Sequence, residues 1–259
     1  MKQPTSKKWV AWLTFAFGLT GLLLRLALYT RCIDGRGLLI RENLYHPASW
    51  GVTALVAVVL ILALRKLDGS NVYEHNFWPS IPAAIATLLA AGGIVMTVLD
   101  IQAYPADTLT MLWRWTGFLA AAALAAAGIL RGLGKKPYFP LYALACVFLA
   151  LHIANRYRIW SGNPQAPDYS FQLLACIAIM LFAYYQTAFT VGSGRRRAQL
   201  FSGLMGVYLC CLAVVRTDTL WLYIGCGAWM LADRCTMMPP RRRHTGTEPG
   251  EEEPPEEVA

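Results

Sequence analysis

Long apolar runs separated by short polar breaks set the pattern of this chain. Each run is roughly 17 to 26 residues, about the length an α-helix needs to cross ~30 Å of hydrocarbon. Period-2 alternation is absent, which argues against a membrane β-barrel. Backbone N–H and C=O groups find no water in a bilayer, so each run is expected to be helical. The pattern predicts about eight spans: Trp9–Tyr29, Pro47–Leu64, Pro79–Tyr104, a helix following Pro105–Thr108 and ending near Leu133, Pro137–Asn155, Tyr169–Val191, Ala198–Val215 and Thr219–Thr236. The expected fold is therefore an all-α polytopic transmembrane bundle over residues 1–238. From Pro239 to Ala259 the chain turns to Pro, Gly and Glu, which cannot bury a core, so a disordered tail is expected there.

The breaks between runs carry the orientation signal. Placing the N-terminus inside puts every lysine, Arg65, Arg131, the Arg195–Arg197 cluster, Arg234 and the Arg241–Arg243 cluster on the cytoplasmic side. Basic residues are retained on that side, so both termini are expected in the cytoplasm of a plasma-membrane protein. The start of the chain resembles a signal peptide, with Lys2, Lys7 and Lys8 ahead of an apolar run. That run is longer than a typical signal core and lacks a small-residue cleavage site, so it is read as a retained first span. The loop pattern of the first four helices recurs in the last four, without a residue-level match.

Composition agrees with this layout. Apolar residues make up 56% and charged residues 15%, short of the charged coat of a soluble domain. In that setting the net charge of +8 reads as membrane orientation, and no nucleic-acid partner is expected. Most of the seven cysteines lie inside apolar runs as small hydrophobes, and no Cys/His spacing suits a metal. No cofactor is expected. Small residues at Gly117, Ala121, Ala125 and Gly128, and at Ala83, Ala90, Ala91, Gly92 and Gly93, mark close helix packing. Trp9, Trp12, Trp50, Trp78, Trp113, Trp115, Trp160 and Trp221 fall at interface levels and read as a belt of anchors.

The candidate chemistry lies where polar side chains interrupt the spans, because a charge there costs roughly 2.5–3.5 kcal/mol on insertion scales. Arg25, Asp100, Arg114 and His152 all fall toward the outer leaflet, with Asn155, Arg156, Gln172, Arg216 and Asp218 near that level. They predict a cavity open to the outside. There Asp100 pairs with Arg25 or Arg114, a spare guanidinium clamps an oxyanion bidentately, and His152 adds a donor. The competing reading has each arginine snorkelling to lipid phosphates. A weaker polar group, Tyr184, Tyr185, Gln186 and Asp233, lies at the inner side, with Asp233 read as a local ion pair with Arg234.

Absent motifs narrow the classes. There is no HExxH, GxSxG or P-loop, no mid-span lysine, and a single histidine within a span. Leu24-Arg25 through Asp34-Gly35-Arg36-Gly37-Leu38, and Ala183-Tyr184-Tyr185-Gln186-Thr187-Ala188-Phe189 with Gly192 and Arg195–Arg197, resemble stretches of uncharacterised multi-span inner-membrane proteins of anaerobic Gram-positive bacteria. The resemblance implies an inner-membrane protein, and it carries no catalytic residue across. Three functions stay open. The first is binding or transport of a small anionic or amphipathic ligand at the Arg25, Asp100, Arg114 and His152 set. The second is an enzyme of lipid headgroups with His152 as base, and the third is a scaffold without a ligand site. A binding role is favoured over an enzyme.

Overall fold

The computed structural model describes residues 8–32, 44–65, 72–100, 107–160, 169–215 and 217–238. The expected tail at 239–259 and Arg216 lie outside them. The described chain is helical: α1 Lys8–Arg31, α2 Tyr45–Leu64, α3 Ile81–Leu99, α4 Thr108–Gly132, α5 Phe139–Trp160, α6 Ser170–Thr190, α7 Arg196–Ala213 and α8 Leu220–Thr236. No strand occurs among the described residues, and the one β-type contact joins Phe77 to Met237. The expected ends of the helices hold to within a few residues, except that α3 stops at Leu99, with Asp100 as its C-cap, and α5 runs past Asn155 to Trp160.

Local chemistry explains several boundaries. Ser80 accepts a hydrogen bond from the Ala83 N–H, and Pro82 follows within the first turn of α3, which stops that helix from extending backward. Asp107 accepts from the Thr110 N–H and caps α4. At the other end of α4, Gly134 takes a left-handed φ of 73°. Its N–H bonds the Arg131 carbonyl at 3.1 Å, and the Lys135 N–H reaches the Leu130 carbonyl at 2.8 Å. This glycine-closed stop turns the chain sharply and holds Lys135 and Lys136 beside the end of α4.

Six helices, α1 to α6, are long and apolar enough to cross a membrane. Their outward faces carry Leu23, Leu62, Ile85, Leu89 and Leu119, all at least half exposed. Apolar surface on that scale suits lipid and not water. The chain is thus a membrane-embedded helical bundle, and of the eight helices expected to span, six are long and apolar enough to do so while α7 and α8 fall short of that standard. α7 and α8 are only 18 and 17 residues long. α7 touches α6, α1, α2 and α8, which screen it from lipid. Apolar composition is demanded by lipid contact, so a screened helix can bury Arg196, Gln199 and Ser202.

Neighbours in sequence pack against each other from α3 through α8, and α8 closes on α3, giving a ring of six helices. α1 and α2 lie against α7 outside the ring. The α3–α8 closure is the tightest seam. A Cβ on Gly93 would stand 2.3 Å from the Trp221 carbonyl oxygen, and one on Gly225 would stand 2.6 Å from that of Leu89. The expected small-residue seams are therefore internal, with Gly128 meeting Ala84 and Thr87 across α3–α4.

Within the ring the core is aromatic. Tyr142 of α5 stacks on Trp229 of α8 at 6.0 Å, and Phe182 of α6 meets Trp229 edge-on at 5.0 Å. Trp113, expected in the interface belt, is fully buried against Phe148, and so is a core residue. Trp9, Trp12, Trp50, Trp78, Trp115 and Trp221 are exposed, as the belt requires.

Candidate functional site

The two ends of the bundle differ. One, the basic end, gathers Arg65, Arg131, Lys135, Lys136, Arg195, Arg196, Arg197 and Arg234. The other holds the four residues singled out in the sequence. Arg25 is 2% exposed, and it donates to the Tyr29 hydroxyl at 2.8 Å. Its guanidinium lies 4.9 Å from the centre of the Phe171 ring, which in turn packs on Trp50. His152 is 1% exposed and joins Trp113 and Phe148 in a three-ring cluster, 5.7 Å from the first and 5.8 Å from the second. Its Nε2 meets no hydrogen-bond partner among the described residues. Asp100 and Arg114 are both exposed, Arg114 beside Leu112 and Trp115 on the outward face of α4. Arg25 and His152 are thus buried in separate aromatic surroundings, while Asp100 and Arg114 face outward.

Other charges at this end are matched as pairs. Arg156 Nη1 donates to Asp218 at 2.6 Å, tying α5 to the α7–α8 turn. Arg158 pairs with Asp107 and also donates to Asn155 at 3.1 Å. The Arg158 hydrogen bond, with help from Thr110, holds the Asp107 carboxyl well below the usual carboxylate range. These pairs fasten helix ends.

The basic end holds a different arrangement. Asp233 of α8 is 1% exposed and pairs with Arg131 of α4, not with its sequence neighbour Arg234 as the pattern predicted. Its second oxygen accepts from Gln186 of α6 at 2.6 Å and from Gln199 of α7 at 3.1 Å. Arg131 also donates to Thr236 at 3.3 Å, and its guanidinium lies 5.1 Å over the ring of Phe77, just before α3. Tyr142 of α5 neighbours the same group. Every member of the ring, or the segment leading into it, thus contributes to one point. The adjacent residues fit the local fields, since a cation in the last turn of α4 complements the helix dipole.

Beside Arg131 opens a cleft of about 330 Å³. One wall is aromatic, built from Tyr73, Phe77 and Trp78, and the other is basic, built from Arg131, Lys135 and Lys136. Glu74 is the single acid lining it. Met238 closes the floor, fixed by its N–H bonding the Asn76 carbonyl at 2.9 Å and its carbonyl accepting from Arg196. Both lysines are exposed, and neither enters an ion pair among the described residues. Arg131 is 2% exposed, yet its Nε meets no hydrogen-bond partner there. Burial pushes the Tyr73 hydroxyl well above the ordinary phenol range, with Tyr142 adding to the effect and Arg131 opposing it.

No protein-family model matches the chain, and comparison with curated proteins and with solved structures gives no match. Chemistry at the cleft therefore rests on its own residues. With Arg131 paired to Asp233, Lys135 and Lys136 against Glu74 leave the cleft with one excess positive charge for an oxyanion, and the aromatic wall suits an apolar body attached to it. Among the described residues no group of His, Cys, Asp and Glu is placed to hold a metal ion.

The sequence marks Gln186 and Asp233 only as a weaker polar group, and Arg131 only as a cytoplasmic-side cation. Gln199 went unmarked. The available signal was three polar side chains, Gln186, Gln199 and Asp233, inside otherwise apolar helices near one membrane level.

Proposed function

We propose that the chain is an integral membrane protein that binds a small oxyanion, free or as the headgroup of an amphipathic molecule, in the basic-end cleft. One observation carries this reading: a buried arginine, Arg131, lines an open cleft, flanked by two exposed lysines, and among the described residues its Nε has no hydrogen-bond partner and neither lysine has an ion-pair partner. By the positive-inside rule this end faces the cytoplasm, on the opposite side from the expected outer cavity. Binding is favoured over transport because the Tyr142, Phe182 and Trp229 cluster fills the ring beyond Asp233. An enzyme using His152 is disfavoured, since that imidazole is buried against Trp113 and Phe148 and its Nε2 has no hydrogen-bond partner among the described residues.

The test uses the full chain in nanodiscs of neutral phosphatidylcholine. Sulfate is titrated in one arm, and phosphatidylglycerol is mixed into the disc in the other. Both carry fixed charge near neutral pH. A rise in thermal stability that disappears in Arg131→Gln supports the site, and the arm in which it occurs identifies a soluble or a lipid source. No shift in either arm, or an equal shift in Arg131→Gln, overturns the reading.

A further inference from the structure

We infer that Asp233 is a resident competitor for Arg131, so that the cleft takes up an oxyanion together with one proton. This rests on the binding site proposed above. The Arg131 guanidinium faces two ways: Nη1 and Nη2 are engaged by Asp233 and Thr236 inside the ring, while the side chain also lines the cleft. An anion held by Lys135, Lys136 and Arg131 shares that guanidinium with the Asp233 carboxylate. Two anions on one cation repel, and the surroundings hold little water to screen them.

The remaining partners of Asp233 cannot replace the lost countercharge. Gln186 and Gln199 offer neutral amide donors. The other charged or titratable groups on the surrounding elements are Tyr73 before α3, Tyr142 on α5, Arg196 at the start of α7 and Arg234 on α8. Arg196 donates to the Met238 carbonyl, and Arg234 lines a small void of about 10 Å³ together with Asp233 and Gln199, while the ion pair of Asp233 is made with Arg131. A proton from the cleft converts Asp233 to a neutral carboxyl, which removes the repulsion. Once the amide of Gln186 or Gln199 turns over, the acid can donate to its now unsatisfied Oε1. For a monoanionic headgroup such as phosphatidylglycerol, one proton bound leaves the net charge unchanged; with dianionic sulfate the proton cancels one of the two charges and the other is left to Lys135 and Lys136.

The sign follows from linkage. If binding takes up a proton, affinity rises as pH falls, by at most about tenfold per pH unit. Sulfate and phosphatidylglycerol keep constant charge between about pH 8 and about pH 5, so the slope belongs to the protein. The full chain in nanodiscs is titrated with whichever of the two binds, across that range. Proton uptake is counted independently by calorimetry in two buffers of different ionisation enthalpy. The expected result is a rising affinity toward low pH and an uptake approaching one proton. Asp233→Asn is expected to bind more tightly than the natural chain at the high end, with the slope gone, while Glu74→Gln keeps it. Binding with a flat pH profile and no proton uptake overturns the competition but leaves the binding site standing. So does a slope that survives in Asp233→Asn or vanishes in Glu74→Gln. Absence of binding at every pH overturns both. If Asp233→Asn does not fold, the proton count on the natural chain still decides.

Discussion

Arg131 and Asp233 stand 102 residues apart in the chain and meet as an ion pair whose side chains are 2% and 1% exposed. Removing one partner strands the other without countercharge. Arg131→Met and Asp233→Leu are each expected to lower stability by about 3–5 kcal/mol. The double variant, with both charges gone, is expected to recover much of that loss. Thermal unfolding of all four proteins in one detergent measures the coupling, and strictly additive losses would show that the pair is not an energetic unit.

The α3–α8 seam depends on two missing side chains. Gly225→Ala drives a methyl toward the Leu89 carbonyl, and Gly93→Ala drives one toward that of Trp221. Backbone cannot yield as a side-chain tip can, so each is expected to cost about 1–3 kcal/mol. Gly92→Ala, on the same helix with open space around it, serves as the control and is expected to be neutral or slightly stabilising. Unfolding midpoints in the three variants check the contrast.

His152 separates a packing role from a chemical one. Its ring packs against both Trp113 and Phe148, and its Nε2 has no described partner. His152→Phe is therefore expected to be tolerated within about 1 kcal/mol, while His152→Ala leaves a cavity and costs about 3–5 kcal/mol. Loss of function in a well-folded His152→Phe protein would revive the catalytic alternative.

At the opposite end, Asp107 supplies the pH dependence. Its carboxyl is held below its unfolded value of about 3.9 by Arg158. A depressed carboxylate contributes stability above the unfolded value and loses it as pH falls through the folded one. Acid should therefore loosen the α4–α5 junction only below about pH 4. Both partners are well exposed, so salt is expected to weaken the effect. Carboxyl carbon shifts of Asp107, followed by NMR in the natural chain and in Arg158→Gln, provide the check: the variant should titrate closer to the ordinary range.

Much of the fold could be read from the sequence because lipid imposes a simple rule on surfaces that touch it. α1 to α6 obey that rule, and their ends follow from Ser80, Asp107 and Gly134, whose local chemistry is visible in sequence. α7 and α8 escape it, since contact with protein permits Gln199, Asp233 and Arg234 to enter. Trp113 shows the limit of the same rule in another form: an interface level along the helix says nothing about which way the ring faces. The pairing of Asp233 was illegible for a related reason. Its neighbour Arg234 is adjacent in sequence, but adjacent residues on a helix point about 100° apart. The true partner comes from another helix, and no local pattern announces it.

The burial of α7 and α8 bears on how the chain enters a membrane. A segment as polar as α7 has little to gain from lipid alone, so its free energy of insertion depends on helices already in place. α1, α2 and α6, which pack on α7, are therefore expected to assemble before α7 settles among them, with α8 following in chain order. Biogenesis of this protein is expected to end with the closure of the ring, so that Asp233, at the far end of the last helix, meets Arg131 as the final step of assembly.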